Sequence, residues 1–98
     1  MIKQTPVKGS KKVKVNFVLP KESVAGKVSV VGDFNGWDPM AHPLRPRSNG
    51  TRSVTVTLPV SQRFAFKYLD ENGQWLDDDA AHEYVDNGIG GVNGVVST

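Results

Sequence analysis

Residues 12–19, KVKVNFVL, set apolar side chains at every second position. A repeat of two is the period of a β-strand that buries one face and leaves the other in solvent. The buried face of this stretch would hold Val13, Val15, Phe17 and Leu19, and the other face Lys12, Lys14, Asn16 and Val18. The stretch therefore predicts a half-buried strand, and this period recurs along the chain.

The clearest recurrence is residues 63–69, RFAFKYL, in which Phe64, Phe66 and Tyr68 would share one face. Strand patterns arrive about every 8 to 12 residues with turn residues between them, and no stretch of about 11 residues has the apolar spacing of a helix. This spacing predicts an all-β antiparallel sandwich of about seven strands. The other predicted strands cover residues 27–33, an edge segment near Leu44, and residues 53–58, 74–76, 83–85 and 92–97.

Length and charge indicate how many domains the chain contains and where its basic residues lie. Its 98 residues fit one domain. The sequence contains no cysteine, which excludes a disulfide or a thiolate metal site. The net charge is +2, but the first 14 residues hold five lysines, so the remainder is net acidic. We predict a flexible basic tail over 1–11 and a folded domain over 12–98. A basic arm can contact phosphate or anionic lipid, but no arginine cluster or interleaved aromatic residue accompanies these lysines, so we expect neither nucleic acid nor membrane as a partner.

No stretch resembles an export signal or a membrane span, which favours a cytoplasmic location. A catalytic constellation is also missing. His42 and His82 stand alone in loops, and the acidic residues 77–79 with Glu83 and Asp86 lack the alternating spacing of a calcium loop. We therefore expect no catalytic residue, no metal and no cofactor, and interpret the protein as a binding module and not an enzyme.

The two tryptophans are the strongest candidates for binding. Trp37 lies within a polar turn, and Trp75 lies two residues after the hairpin glycine Gly73. If Asp70 pairs with Gln74, Leu69 faces Trp75 and Lys67 becomes a diagonal neighbour on the same face. A four-residue loop would break this register. An exposed indole can stack on the apolar face of a sugar, and an ammonium beside it can donate hydrogen bonds to the sugar hydroxyls. For either tryptophan taken alone, packing of a loop onto the sandwich is the alternative.

Four motifs follow in order: residues 30–37 (VVGDFNGW), 64–68 (FAFKY), 72–75 (NGQW) and 90–93 (GGVN). Together they resemble carbohydrate-binding module family 48 over about residues 12–97. This is the early-set, immunoglobulin-like domain found ahead of isoamylase and branching-enzyme barrels, and as the glycogen-binding domain of the beta subunit of AMP-activated protein kinase. The kinase-type branch is the closer match.

The resemblance implies a binding site of two tryptophans, a lysine, and a loop with a leucine, a threonine and an asparagine. By position these fall on Trp37, Trp75 and Lys67, and on Ile89, Gly91 and Asn93. Two positions depart from the pattern, because Ile89 replaces the leucine and Gly91 lacks the threonine hydroxyl. Both departures are expected to alter the affinity for the glucan or the preference among glucans.

By this resemblance the function is non-catalytic binding of an α-1,4-linked glucan, such as glycogen, starch, a maltooligosaccharide or cyclodextrin, which targets a partner protein or assembly to the polysaccharide. The alternative is a structural or protein-interaction domain of the early-set type that supports an amylolytic enzyme or a kinase-like partner without binding sugar itself.

Overall fold

The computed structural model describes residues 2–20, 26–78, 81–86, 88 and 91–98. Two antiparallel sheets pack face to face, which confirms the predicted all-β, immunoglobulin-like sandwich. Nine strands lie in the described residues, against about seven predicted. They are β1 Ile2–Pro6, β2 Lys12–Leu19, β3 Val28–Gly32, β4 Arg45–Pro46, β5 Arg52–Pro59, β6 Arg63–Asp70, β7 Trp75–Leu76, β8 Glu83–Asp86 and β9 Val92–Ser97.

The first sheet has the strand order β1-β2-β5-β4, and the second has the order β3-β6-β9-β8 with β7 also paired to β6. Strand β6 is central in the second sheet: β3 lies along one side, while β9 pairs with its first half and β7 with its second half. Phe66 therefore stands between Gly32 and Gly94, and Tyr68 between Val30 and Leu76. This arrangement gathers β3, β6, β7 and β9 around one outer surface.

The core lies between the sheets and is built by the predicted alternation. Phe17, Phe66 and Tyr68 are completely buried, and the Phe66 ring lies 5.1 Å from Phe17 and 5.7 Å from Tyr68 between centroids. Such aromatic contacts add to the area that the rings remove from water. The remaining buried members of this core are valines and leucines: Val13, Val15, Leu19, Val28, Val30, Leu44, Val56, Leu58 and Val96.

The structure differs from the expected flexible tail over 1–11. Residues 2–6 form β1, an edge strand paired with β2 from Ile2 opposite Phe17 to Pro6 opposite Val13. Backbone hydrogen bonds to β2 hold this strand, and they leave no alternation of apolar residues in the sequence from which the strand could be predicted. Ile2 also packs against the core. Lys3, opposite Asn16, therefore belongs to the surface of the first sheet, and Lys8 and Lys11 lie in the turn between β1 and β2.

Candidate carbohydrate-binding site

The outer face of the second sheet carries most of the predicted site residues. Because Phe66 and Tyr68 point into the core, their neighbours Lys67 and Leu69 point outward. The β6–β7 hairpin adopts the register that the sequence predicts, with Leu69 opposite Trp75 and the Asp70 N–H bonded to the Gln74 carbonyl at 3.0 Å. Lys67 and Trp75 are thus diagonal neighbours on one surface.

The hairpin that presents Trp75 is fixed by its own turn residues. One carboxylate oxygen of Asp70 accepts hydrogen bonds from the backbone N–H groups of Asn72 and Gln74, at 2.9 and 2.8 Å. Gly73 takes a φ of 78°, which glycine adopts without strain. Trp75 lies two residues after Gly73 and is 50% exposed, although tryptophan is highly buried on average in folded proteins.

Trp37 comes to the same surface from the turn after β3. A short 3-10 turn, Asp33–Asn35, ends in Gly36, and Trp37 itself has a φ of 59°. A bulky side chain in this left-handed region is a genuine outlier, with a cost on the order of 1–3 kcal/mol that surrounding contacts must hold in place. Strain of this kind is concentrated at functional positions.

Two polar residues hold this turn. Asp33 accepts the Trp37 indole N–H at 3.0 Å through Oδ1 and the Ala65 backbone N–H at 2.9 Å through Oδ2, so the indole is tied to the start of β6. The Oδ1 atom of Asn35 accepts the Gly32 N–H at 3.0 Å, and its Nδ2 donates to the Val30 carbonyl at 3.1 Å. Because the Trp37 indole N–H already donates to Asp33, the ring offers its aromatic faces to a ligand.

The two indoles meet at an angle. Their ring centroids lie 6.5 Å apart and their planes are inclined by 66°, an edge-to-face pair. Trp37 is half-buried and Trp75 exposed. The pair forms a bent aromatic surface above the sheet.

Lys67 is positioned by two neighbours. Its Nζ donates to the Val92 carbonyl at 2.7 Å and lies 2.8 Å from Asp77 Oδ1. The Lys67 side chain is only 14% exposed, whereas that of Asp77 is 44% exposed. An ammonium has three donors, so these two contacts leave one for a ligand.

Asn93 reaches the same face from β9. Phe66 pairs with Gly94, so Asn93 lies one step further along, level with Lys67. Val95, two residues on from Asn93, shares its face and is 3% exposed. Gly91 is described just before β9, with no side chain to contribute, and Ile89 lies outside the described residues. The structure thus brings together Trp37, Trp75, Lys67 and Asn93.

Sequence reasoning missed the residues that position this site. Asp33 accepts the Trp37 indole N–H and the Ala65 backbone N–H, and Asn35 holds the turn through backbone contacts. Asp77 positions Lys67 through a direct side-chain ion pair. Their only signal in the sequence is their presence in turns beside the tryptophans, where Asp and Asn are also common for purely local reasons.

The other polar candidates have structural contacts. Nδ1 of His82 accepts the Ser97 N–H at 3.0 Å, and Nδ1 of His42 lies 2.9 Å from Asn35 Nδ2. Asp78 is buried and accepts the Tyr68 hydroxyl at 2.7 Å. Across the described ranges, no three acidic or histidine side chains group as metal ligands. Within those same ranges, no helix is both long and apolar enough to cross a membrane.

Residues 8–85 match the family model of carbohydrate-binding module 48, the isoamylase N-terminal domain. Similar proteins include the 1,4-alpha-glucan branching enzyme GlgB 2 of Xanthomonas campestris pv. campestris (strain 8004), 38% identical over 53 residues, and the GlgB of Rhodopirellula baltica, 39% identical over 66 residues.

These matches cover 53% and 64% of this chain but only 7% and 9% of the two enzymes. The chain therefore spans less than a tenth of the length of these relatives. The family model, in contrast, extends over most of the sandwich, from the turn after β1 into β8. The chain belongs to carbohydrate-binding module family 48.

Proposed function

We propose that this domain binds α-1,4-linked glucan without acting on it chemically, and that it holds a partner protein or assembly on glycogen- or starch-like polymer. The observation that carries the proposal is the bent pair of Trp37 and Trp75 above the second sheet, with Trp75 50% exposed. An indole face stacks on the apolar face of a sugar ring, and two inclined indoles suit the curvature of an α-glucan chain.

Polar groups beside the indoles supply the hydrogen bonds that fix a sugar's orientation. Lys67 has a remaining donor, Asn93 lies level with it on the same face, and the exposed carboxylate of Asp77 is an acceptor for sugar hydroxyls. A site with flat apolar area and a few placed polar groups is typical of small-ligand recognition. The relatives are named 1,4-alpha-glucan branching enzymes, which supports α-1,4 glucan as the polymer class.

We further propose that the site works as in the kinase-type branch of the family, with Trp37, Trp75, Lys67 and Asn93 contacting the glucan. The loop before β9 then contributes less than in that branch, because Gly91 has no hydroxyl and Ile89 is shaped differently from leucine at the branch point. We expect this loss to weaken binding without abolishing it.

The test is a titration with β-cyclodextrin, followed by tryptophan fluorescence. Binding at Trp75 changes the emission, and we expect Trp75→Ala to lower the affinity about tenfold or more, since a stacked aromatic contributes about 1–3 kcal/mol by analogy with stacked bases. Trp75→Phe keeps a stacking ring and leaves Trp37 as the reporter, so it should retain part of the affinity.

Thr57→Ala provides the control, because Thr57 is exposed on β5 of the opposite sheet. Far-UV circular dichroism of each variant checks that the sandwich is folded. Absence of any response of the wild-type chain to millimolar β-cyclodextrin and maltoheptaose would disprove the proposed function. An undiminished response in folded Trp75→Ala would place the sugar elsewhere.

The second candidate is a structural or docking domain for an amylolytic enzyme or kinase-like partner. It is favoured by the relatives, in which the matched segment is 7 to 9% of a much longer enzyme. In that case the indoles would pack under a partner and bind no sugar. The cyclodextrin titration separates the two functions, because a docking domain gives no saturable response to the sugar.

A further inference from the structure

A single row of side chains crosses the outer face of the second sheet, starting at Trp75. Trp75 pairs with Leu69, Leu69 with Ser29, and Ser29 forms a bridge with Pro43. Directly opposed residues on adjacent strands point to the same side of a sheet. At the ordinary separation of strands, three such steps span roughly 14 Å. The row therefore extends away from the tryptophans by more than one sugar unit.

The far part of this row lies in a groove of about 790 Å³ at the β3 edge. Leu69, Ser29 and Pro43 line it together with Met40, which is 83% exposed. This volume is within the range of about 300–1,000 Å³ found for small-ligand sites. Leu69 belongs to both the row and the groove lining, so the groove is continuous with the tryptophan surface.

The rim of the groove carries charges of both signs. Lys27, Arg45 and Arg52 line it, and none of them forms an ion pair or side-chain hydrogen bond with another described residue. The carboxylate of Glu71 also lines the groove and packs directly over Gly26. Donors from the cations, acceptor oxygens from the carboxylate and the apolar lining suit a hydroxyl-rich sugar, because each hydroxyl both donates and accepts hydrogen bonds.

We propose that this groove is a second subsite for the glucan bound at the tryptophans, so that a linear chain runs from Trp75 over Leu69 and Ser29 toward Pro43 and Arg45. The inference rests on the proposed function. It adds a direction and a preference: open glucan chains contact the groove, whereas a closed ring seated on the indoles does not reach it.

The test compares two ligands with the same number of glucose units, maltoheptaose as the open chain and β-cyclodextrin as the closed ring. Isothermal titration calorimetry gives the affinity of each for the wild-type chain and for the double variant Met40→Ala/Arg45→Ala. Both residues are exposed, so the variant keeps the fold. We expect its maltoheptaose affinity to fall about tenfold, the equivalent of one charge-assisted hydrogen bond, and its cyclodextrin affinity to stay unchanged.

A matched double variant, Lys14→Ala/Thr57→Ala, changes two exposed residues of the first sheet and should alter neither affinity. Lys27→Ala is a second groove variant. It should also lower the affinity for maltoheptaose and leave the affinity for β-cyclodextrin unchanged. Unchanged maltoheptaose affinity in both groove variants would overturn the subsite, and so would an equal loss for both ligands. If cyclodextrin binds the wild type normally in those cases, the function stands and only the subsite is rejected. If neither ligand binds the wild type, both proposals fail.

Discussion

Replacing Asn35 by alanine tests whether the turn after β3 positions Trp37. Three contacts are lost: Gly32 N–H to Oδ1 at 3.0 Å, Nδ2 to the Val30 carbonyl at 3.1 Å, and Nδ2 to His42 Nδ1 at 2.9 Å. Each intramolecular hydrogen bond contributes about 0.5–1.5 kcal/mol net. Because Asn35 is partly buried and water replaces some contacts, we expect the free energy of unfolding to fall by about 2 kcal/mol.

The same substitution should reduce glucan binding in molecules that remain folded. Trp37 holds a φ of 59°, and a bulky residue keeps such a conformation only while its surroundings enforce it. Without Asn35 the turn relaxes, and the Trp37 indole leaves its position 6.5 Å from Trp75. Losing one stacking surface should lower the affinity for β-cyclodextrin by about tenfold or more.

Urea unfolding followed by far-UV circular dichroism measures the first effect, and a β-cyclodextrin titration below the unfolding transition measures the second. The matched control is Asn49→Ala, because Asn49 accepts hydrogen bonds from Thr51 within the turn between β4 and β5 of the first sheet. It should leave binding unchanged. Asn35 does not position Trp37 if its replacement changes the free energy of unfolding by less than about 0.5 kcal/mol, the range of an ordinary surface substitution, or if the folded variant binds with wild-type affinity.

Three other substitutions separate core packing, surface charge and the site. Phe66→Ala empties the centre of the core and should cost about 3–5 kcal/mol, seen as unfolding at much lower urea concentration. Arg63→Ala removes an exposed ion pair with Glu83, so unfolding free energy should change by less than about 1 kcal/mol, and a larger loss would contradict its surface role. Asp77→Asn removes the ion pair that positions Lys67, so β-cyclodextrin affinity should fall about threefold, with unchanged affinity counting against a positioning role.

Strands with one buried face were predictable because burial imposes a period of two on the sequence. The bounds of β2 and β9 agree with the predicted residues 12–19 and 92–97, and the short hairpin between β6 and β7 set the register that places Lys67 beside Trp75. Strand β1 was not predictable in this way. Residues 2–6, IKQTP, hold one large apolar side chain and end in a proline, and the strand depends on its backbone pairing with β2.

The polar framework of the site was also beyond prediction from sequence. Asp33 contacts the backbone of Ala65, and Lys67 contacts the carbonyl of Val92, pairs separated by 32 and 25 residues. Contacts at such separation arise only when β3, β6 and β9 lie side by side. The same holds for the row from Trp75 to Pro43, which joins four different segments of the chain.

In the proposed complex, glucan contacts both indoles on the outer face of the second sheet. The most direct measurement is a two-dimensional ¹H–¹⁵N spectrum of the labelled chain during titration with maltoheptaose, in which the two tryptophans give two indole N–H signals. We predict that both indole signals and the backbone signals of Lys67 and Asn93 shift saturably, while those of β1, β2 and β5 stay in place. Shifts confined to the first sheet, or no shift at the indoles, would contradict glucan binding at Trp37 and Trp75.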